Sequence, residues 1–247
     1  MGPPKTVLIT GCNRGIGLGL VKEYLKDPEV SKIIATCRNR SKAEELVSLE
    51  SGGRLKVIEL EIVKYQDDYK DFVAKVDKEL GSHGLNLLIN NAGTISEKHS
   101  LNDLTEAAMI EAFKINCIAP TLLARALLPL LKKASSPSAE LGSHNAAIVQ
   151  MSTSVASISE NGTGGVYPYR CSKTALNMAM KNMSLELRKD GILVMAMHPG
   201  WVKTDLGGSN AMISVEECVS NMVKTIAQFG EKDHGAFLRY NNTSVSW

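Results

Sequence analysis

Short apolar runs alternate with helix-patterned stretches along the whole 247-residue chain, and this alternation limits the folds open to it. The runs are rich in β-branched residues and almost continuously apolar, which is typical of strands buried on both faces. We predict strands at residues 5–10, 32–37, 55–60, 85–89, 147–151, 192–197 and 235–240. The alternation indicates an α/β fold, a doubly wound parallel sheet with helices on both faces.

Apolar spacing and breaker residues predict helices between the strands. They are expected at residues 16–25, 41–50, 66–80, 103–133, 169–189 and 214–229. Pro120 and Pro129 are expected to kink or divide the long fourth helix. No repeat, low-complexity tract or linker interrupts the pattern, so we predict a single domain over residues 1–247.

A glycine-rich turn with the sequence GCNRGIG, residues 11–17, lies directly between the first strand and the first helix. Small residues there let the backbone approach a pyrophosphate, and the helix N-terminus stabilises its charge. The spacing is G-x-x-x-G-x-G and differs from the more familiar G-x-G-x-x-G. The turn predicts dinucleotide binding, with a tight connection that binds no ligand as the alternative.

The residues after the second strand indicate which dinucleotide is bound. A fold that binds NAD usually has an acidic residue there, which takes the hydroxyls of the adenosine ribose. This chain instead has Arg38, with Arg40 nearby and Arg14 in the glycine turn. Guanidinium groups suit a 2′-phosphate, so we predict NADP(H) as the cofactor, with a solvated basic turn as the alternative.

Tyr169 and Lys173 are four residues apart and therefore lie on one face of their predicted helix. A free phenol is a poor acid at neutral pH, with a pKa of about 10, and a neighbouring cation lowers that pKa. Such a pair in a cleft can exchange a proton with a substrate oxygen near pH 7. Considered alone, the pair is more often a coincidence of helix spacing.

Polar residues end the fourth and fifth strands, at the edge where doubly wound sheets bind ligands. Residues 90–93 (NNAG) are also compatible with a common turn, and the hydroxyls of residues 152–154 (STS) can bind a substrate oxygen or cap local backbone. Asn116, inside an apolar helix, needs hydrogen-bond partners whether it belongs to the core or to a site. We interpret His198 as structural because a proline and a glycine follow it.

Composition excludes several classes of function. The formal net charge of +2 is too small to indicate nucleic acid or a membrane surface as a partner, so we expect neither. Five scattered cysteines without a C-x-x-C pair indicate reduced thiols, and neither a disulfide framework nor a zinc site. The reduced thiols indicate a cytoplasmic protein. No signal peptide and no apolar stretch of membrane-spanning length is recognised, and the partner that we expect is a small molecule.

The motifs of this chain, taken in order, resemble those of the short-chain dehydrogenase/reductase family: Thr10-Gly11-x-x-x-Gly15-x-Gly17, Asn90-Asn91-Ala92-Gly93, Asn116, a Ser/Thr cluster, Tyr169-x-x-x-Lys173 and Pro199-Gly200. They are weak one by one and specific as a set, and the resemblance covers essentially the whole chain. It implies a seven-stranded parallel Rossmann sheet with NAD(P) across its carboxyl edge. It also makes the helices 103–133 and 169–189 plausible faces of a homodimer or homotetramer.

The resemblance implies catalytic roles. Tyr169 would donate the proton, Lys173 would hold the nicotinamide ribose and lower the phenol pKa, and Asn116 would bind a water in the proton relay. The family usually has two serines at the end of the fifth strand, the second of which polarises the carbonyl. Here Thr153 has that position and Ser154 follows it. Which of the two hydroxyls acts is open.

The cofactor-binding residues are implied in the same way. Glu61 and Ile62 take the adenine-contact position, where the family more often has aspartate, and Val202 and Thr204 bind the carboxamide. The whole set expected at the cofactor is Gly11, Asn13, Arg14, Gly15, Ile16, Gly17, Arg38, Glu61, Ile62, Asn91, Ala92, Gly93, Tyr169, Lys173, Pro199, Gly200, Val202 and Thr204.

Together these features predict an NADPH-dependent carbonyl reductase that acts on a ketone, aldehyde or quinone, with Tyr169 as the proton donor. The alternative is an NADP(H)-binding sensor or regulatory protein with little turnover, for which the threonine at position 153 is the only support. Enoyl reduction on the same scaffold is disfavoured by the spacing of Tyr169 and Lys173. Residues 158–166 and 205–213 are expected to determine substrate specificity.

Overall fold

A computed structural model describes residues 2–65, 67–95 and 100–247. Within them, one seven-stranded sheet has the order β3-β2-β1-β4-β5-β6-β7, and every neighbouring pair is parallel. The strands are β1 Thr6–Ile9, β2 Lys32–Cys37, β3 Leu55–Glu59, β4 Leu87–Asn90, β5 Ala147–Met151, β6 Leu193–His198 and β7 Phe237–Arg239. The predicted doubly wound, seven-stranded Rossmann sheet is confirmed.

Helices cover both faces of this sheet. They are α1 Gly15–Leu25, α2 Glu44–Ser48, α3 Lys70–Leu80, α4 Glu106–Phe113, α5 Ala119–Ala134, α6 Tyr167–Leu187 and α7 Val215–Ala227. Alternate residues of one strand enter different cores, as the pleat requires. In β1, Val7 and Ile9 pack with α1, α2 and α7, whereas Leu8 packs with α3, α5 and α6. Burying each of these side chains contributes about 1.5–3 kcal/mol.

Two predicted helices have different bounds in the structure. Residues 41–50 do not form one helix; they contain a 3-10 turn (Arg40–Lys42), the short α2 and part of a second 3-10 turn (Leu49–Gly52). The Arg40 guanidinium binds Glu50 and a carbonyl of β3, which holds the segment against the sheet edge. The helix predicted at 66–80 begins instead at Lys70, after two residues with positive φ, and residue 66 lies outside the described residues.

The helix predicted at 103–133 is a continuous helical run from Glu106 to Ala134 with a π turn, Lys114–Ile118, between α4 and α5. The joint predicted near Pro120 corresponds to this π turn. Proline has no amide N–H, so the carbonyl of Asn116 lacks the donor that a regular helix would supply four residues later. Pro129 lies inside α5.

This run is long and apolar enough to cross a membrane, judged by length and composition only. The expectation that no stretch reaches that length is therefore wrong. The apolar face of α5 packs beneath the sheet, where Leu123, Leu127 and Leu131 belong to the core on that side. Packing in the α/β fold thus accounts for these apolar residues.

Candidate active site

The carboxyl ends of β1, β4, β5 and β6 are neighbours in the sheet, and they carry most of the predicted site residues. The glycine turn follows β1, residues 91–93 follow β4, residues 152–154 follow β5 and residues 199–200 follow β6. Parallel strands end at the same edge of a sheet, so the four segments share one edge. This is the edge at which open α/β sheets bind ligands.

The glycine turn forms a narrow cradle at the start of α1. Gly11 and Gly15 have positive φ angles of 71° and 57°, a conformation that favours glycine. A Cβ at Gly17 would lie 2.2 Å from the carbonyl oxygen of Gly11, so no side chain fits there. Arg14, the N-cap of this 11-residue helix, makes no side-chain capping bond. The first amides of α1 are therefore available to an anion. Of the other two turn residues predicted at the cofactor, Asn13 is exposed and Ile16 is half-buried.

Asn91 ties the end of β4 to the glycine turn. Its Nδ2 donates to the carbonyl oxygens of Thr10 at 2.9 Å and Gly11 at 3.2 Å. The Ala92 N–H donates to Thr10 Oγ1 at 3.0 Å. A Cβ at Gly11 would come 3.0 Å from the Cα of Ala92, which explains why both positions hold small residues.

The Tyr169 phenol is half-buried and lies beside the Thr153 side chain, just after β5. Burial raises the pKa of Tyr169 to about 12, and the neighbouring Thr153 hydroxyl acts in the opposite direction. This reverses the lowering predicted from Lys173, because burial penalises the phenolate more than its neighbours stabilise it. In this arrangement the phenol is a stable proton carrier at neutral pH.

Lys173 is buried at the same edge. The residue is only 4% exposed, and its Nζ donates to the carbonyl oxygen of Met151 at 2.7 Å. Burial lowers the pKa of its ammonium group to about 8. A Cβ at Gly93 would lie 3.4 Å from this Nζ and 3.2 Å from Asn116 Oδ1. The absence of a side chain at Gly93 therefore leaves room beside the ammonium group.

Asn116 is fully buried in the π turn. Its Oδ1 accepts from the Thr94 N–H at 2.9 Å, and its Nδ2 donates to the Thr94 carbonyl at 2.9 Å and to Ser172 Oγ at 3.1 Å. The side chain thus fixes the segment after Gly93 against α6. Thr94 and Ser172 have no sequence signal for this role, because an isolated threonine or serine is compatible with almost any environment.

Ser154 contacts a different partner from Thr153. Its Oγ lies 3.3 Å from His198 Nε2. Burial lowers the pKa of His198 to about 4, so the imidazole is neutral at neutral pH. This contact agrees with the structural interpretation of His198. Of the two hydroxyls that the sequence left open, the one on Thr153 contacts the phenol of Tyr169.

The three arginines near the predicted 2′-phosphate position have different surroundings. Arg40 serves the fold, because its Nη2 donates to Glu50 at 2.6 Å and its Nη1 to a β3 carbonyl at 2.6 Å. Arg14 pairs with Asp205, with 2.7 Å between Nη1 and Oδ2. Arg38 is exposed directly after β2. Arg38 and Arg14 can therefore meet a ligand from solvent at this edge, and Arg40 is already engaged.

The remaining predicted residues lie at the two ends of the edge. Glu61 and Ile62 follow β3 and are half-buried. Val202, after β6, is buried, and Thr204 lies against the glycine turn, where a Cβ at Gly15 would come 3.3 Å from the Thr204 Cγ2. The edge therefore brings the predicted pyrophosphate and carboxamide residues into contact with each other.

Comparisons with known proteins agree with this geometry. The short chain dehydrogenase family pattern matches residues 5–212. The chain is similar to the carbonyl reductase Sniffer of D. melanogaster, with 40% identity, a TM-score of 0.96 and coverage of 99% of this chain and 100% of that one. In sequence, MGPPKTVLITGCNRG, GWVKTD and GEK look like the same reductase. The structural match confirms that resemblance.

Two further relatives extend the comparison. An NADPH-bound carbonyl reductase from chicken fatty liver has 39% identity and a TM-score of 0.93, with coverage of 99% of this chain and 100% of that one. The protein C-signal of Myxococcus xanthus is 34% identical over 163 residues, which are 66% of this chain and 93% of that protein.

Proposed function

This chain belongs to the short-chain dehydrogenase family and is an oxidoreductase, and we propose that it is an NADPH-dependent carbonyl reductase acting on a ketone, aldehyde or quinone. The observation that carries the proposal is the position of the Tyr169 phenol beside the Thr153 side chain at the ligand-binding edge. Two similar proteins of known structure are carbonyl reductases, and one of them holds NADPH.

The two titratable groups suit the reductive direction. A proton donor must be protonated before the reaction, and a pKa of about 12 keeps the Tyr169 phenol in that state at neutral pH. A pKa of about 8 keeps most Lys173 side chains charged at pH 7, so the ammonium group can stabilise the phenolate as the proton leaves. The Thr153 hydroxyl orients the substrate oxygen beside the phenol. NADPH, when bound, supplies the hydride to the carbonyl carbon.

Asn116 supports proton supply through its backbone. Pro120 cannot donate the helical hydrogen bond to the Asn116 carbonyl oxygen, and we propose that this oxygen holds a water. The Asn116 side chain and the Lys173 ammonium group lie on either side of the space at Gly93. We assign Asn116 to a relay that returns a proton to the lysine and the phenol.

The residues present fit a dinucleotide with a 2′-phosphate. The glycine cradle and the open amides of α1 suit a pyrophosphate, because added Cβ atoms would fill the space that it needs. Arg38 and Arg14 suit the 2′-phosphate. Lys173 serves the nicotinamide ribose. We propose that the adenosine half of the cofactor contacts Glu61, Ile62, Asn91, Ala92 and Gly93. The carboxamide contacts the segment after β6, at Pro199, Gly200, Val202 and Thr204.

The proposal is tested with Tyr169→Phe, assayed by NADPH oxidation with small ketones and quinones. Loss of the proton donor is expected to lower kcat by about 10²- to 10⁴-fold. The control is Tyr24→Phe, which removes a hydroxyl from a tyrosine that is buried in the core near the end of α1. Wild-type turnover in Tyr169→Phe would overturn the assignment of the proton donor.

A second candidate function is an NADP(H)-binding sensor or regulatory protein with little turnover. It is favoured by the threonine at position 153 and by the similarity to C-signal. Two measurements on the wild-type protein distinguish the candidates: its affinity for NADPH, and its rate of reduction of a broad panel of carbonyl compounds. Tight binding without any reduction by the wild-type protein would favour the sensor.

The proposed enzyme is a single-domain cytoplasmic protein whose partner is a small-molecule carbonyl compound. Its five free cysteines suit a reducing compartment. We also propose a homodimer or homotetramer, because large apolar side chains are exposed along the long helices, at Ile110, Ile118, Met178 and Leu185. Sedimentation of the purified protein tests the oligomeric state.

A further inference from the structure

An ion pair joins two segments that are far apart in the sheet order. Arg14 lies in the turn after β1 and Asp205 in the loop after β6, with β4 and β5 between those strands. Their side chains meet at 2.7 Å, between Arg14 Nη1 and Asp205 Oδ2. The pair therefore connects the two segments directly at the ligand-binding edge.

A second contact supports the connection. Thr204, next to Asp205, packs so closely on the glycine turn that a Cβ at Gly15 would come 3.3 Å from its Cγ2. Thr204 belongs to a loop with its own hydrogen bonds: the Gly208 N–H donates to the Thr204 carbonyl at 2.8 Å, and Trp201 Nε1 donates to the Gly207 carbonyl at 2.7 Å. Asp205 therefore belongs to a hydrogen-bonded loop that packs against the glycine turn.

The geometry leaves Arg14 able to hold a second anion. A guanidinium group has five N–H donors in a planar fork, and the contact with Asp205 is made through Nη1. The Arg14 and Asp205 side chains are 67% and 72% exposed, so a phosphate can approach the remaining donors. A guanidinium held from one side is pre-organised, which lowers the entropy lost when it binds a ligand.

We propose that Asp205 is a positioning residue for the dinucleotide, which acts through Arg14. It holds the arginine in place and ties the loop after β6 across the bound cofactor, so that the cofactor dissociates slowly. The inference rests on the NADPH binding proposed above. Asp205 itself offers no donor to the cofactor, and its carboxylate would repel phosphate if it were not paired with Arg14.

The size of the effect follows from the exposure of the pair. Exposed ion pairs contribute little free energy to the state in which they form. Breaking one corresponds to a change of about 1.5- to 5-fold in an equilibrium or rate constant. We expect Asp205→Asn to accelerate NADPH dissociation by that factor. NADH, which lacks the 2′-phosphate, should dissociate faster by a similar factor, because the loop is released from both cofactors.

The experiment measures NADPH and NADH dissociation by stopped-flow fluorescence in the wild-type protein, Asp205→Asn and Asp205→Glu. Asp205→Glu keeps the charge and should restore slow release. Glu231→Gln is the matched control, because it breaks the similarly exposed pair with Arg188 at the opposite edge of the sheet. Raising the salt concentration should accelerate release in the wild type more than in Asp205→Asn, since salt screens the pair.

Three results would overturn the proposal. An unchanged dissociation rate in Asp205→Asn, with normal NADPH binding by the wild type, rejects the role of Asp205 and leaves the proposed function intact. Slower NADPH release with unchanged NADH release means that Asp205 merely competes with the 2′-phosphate for Arg14. Absence of NADPH binding to the wild type rejects the proposed function together with this inference.

Discussion

Lys173 donates a hydrogen bond from Nζ to the carbonyl oxygen of Met151 at 2.7 Å, at the last residue of β5. This bond keeps the ammonium group at the sheet edge before any ligand binds. Burial there lowers the pKa of Lys173 to about 8, while burial raises that of Tyr169 to about 12. At neutral pH the phenol is therefore protonated and the ammonium group mostly charged, which are the states that the proposed proton donor and its supporting cation need.

These values predict the pH dependence of reduction. Below about pH 8 the lysine is charged and the phenol is protonated, so kcat should be nearly constant. Above that pH the ammonium group loses its proton, the emerging phenolate loses its stabilising cation, and kcat should fall with an apparent pKa of about 8. The measurement is kcat between pH 6 and 10 at saturating NADPH and substrate.

The variant Lys173→Arg tests whether Lys173, and not another titrating group, causes the decline in kcat. Arginine stays charged over the whole range, so the residual activity of this variant should not decline near pH 8. The same decline in both proteins would assign it to another group and would contradict the prediction.

The hydroxyls after β5 should contribute unequally. Thr153→Val keeps the shape of the side chain and removes the hydroxyl that contacts Tyr169, so kcat should fall by about 10²- to 10³-fold. Ser154→Ala removes a contact with His198 and should change kcat far less. Thr153→Ser should restore most of the activity. Equal losses in Thr153→Val and Ser154→Ala would mean that both hydroxyls meet the substrate.

Much of the fold was predictable because parallel strands buried on both faces are nearly continuous apolar runs. β2 and β5 begin and end where the sequence predicts, at residues 32–37 and 147–151. The actual structure of residues 41–50, predicted as one helix, was not predictable. It depends on the contact of Arg40 with β3, which joins residues distant in sequence. Helical spacing contains no information about such a contact.

The site was predictable in position and less so in chemistry. The order of motifs predicts that Tyr169 and Lys173 lie near the carboxyl edge of the sheet, and in the structure Lys173 bonds the last residue of β5. The raised pKa of Tyr169 was not predictable, because burial is a property of the folded edge. Nor could sequence separate Arg38 from Arg40, whose surroundings differ only after β3 has paired with β2.

Arg38 and Arg40 should respond differently to substitution. Arg38→Asp should remove the preference for NADPH over NADH, because a carboxylate repels the 2′-phosphate and accepts hydrogen bonds from a free ribose. Arg40→Gln should instead lower the free energy of unfolding by about 1–3 kcal/mol, as its bonds to Glu50 and β3 are lost. The ratio of kcat/KM for NADPH to that for NADH tests the role of Arg38, and urea unfolding tests the role of Arg40. An unchanged cofactor ratio in Arg38→Asp would mean that Arg38 does not bind the 2′-phosphate.

Asn116 should matter for stability as well as for turnover. Asn116→Ala removes three side-chain hydrogen bonds and leaves the N–H and carbonyl of Thr94 without their partner, so the free energy of unfolding should fall by about 2–3 kcal/mol. Asn177→Ala, which removes one buried bond from Ser152, is the matched control and should cost about 1 kcal/mol. Urea unfolding of both variants beside the wild type measures the difference.

The comparison of stability with turnover then separates the two roles of Asn116. Its backbone carbonyl, to which Pro120 cannot donate, is present in Asn116→Ala, so the proposed relay through that carbonyl survives the substitution if the π turn keeps its shape. Turnover should therefore fall only as far as the segment after Gly93 loosens, and lower temperature should restore part of it. Full stability combined with abolished turnover would instead mean that the amide side chain itself takes part in proton transfer.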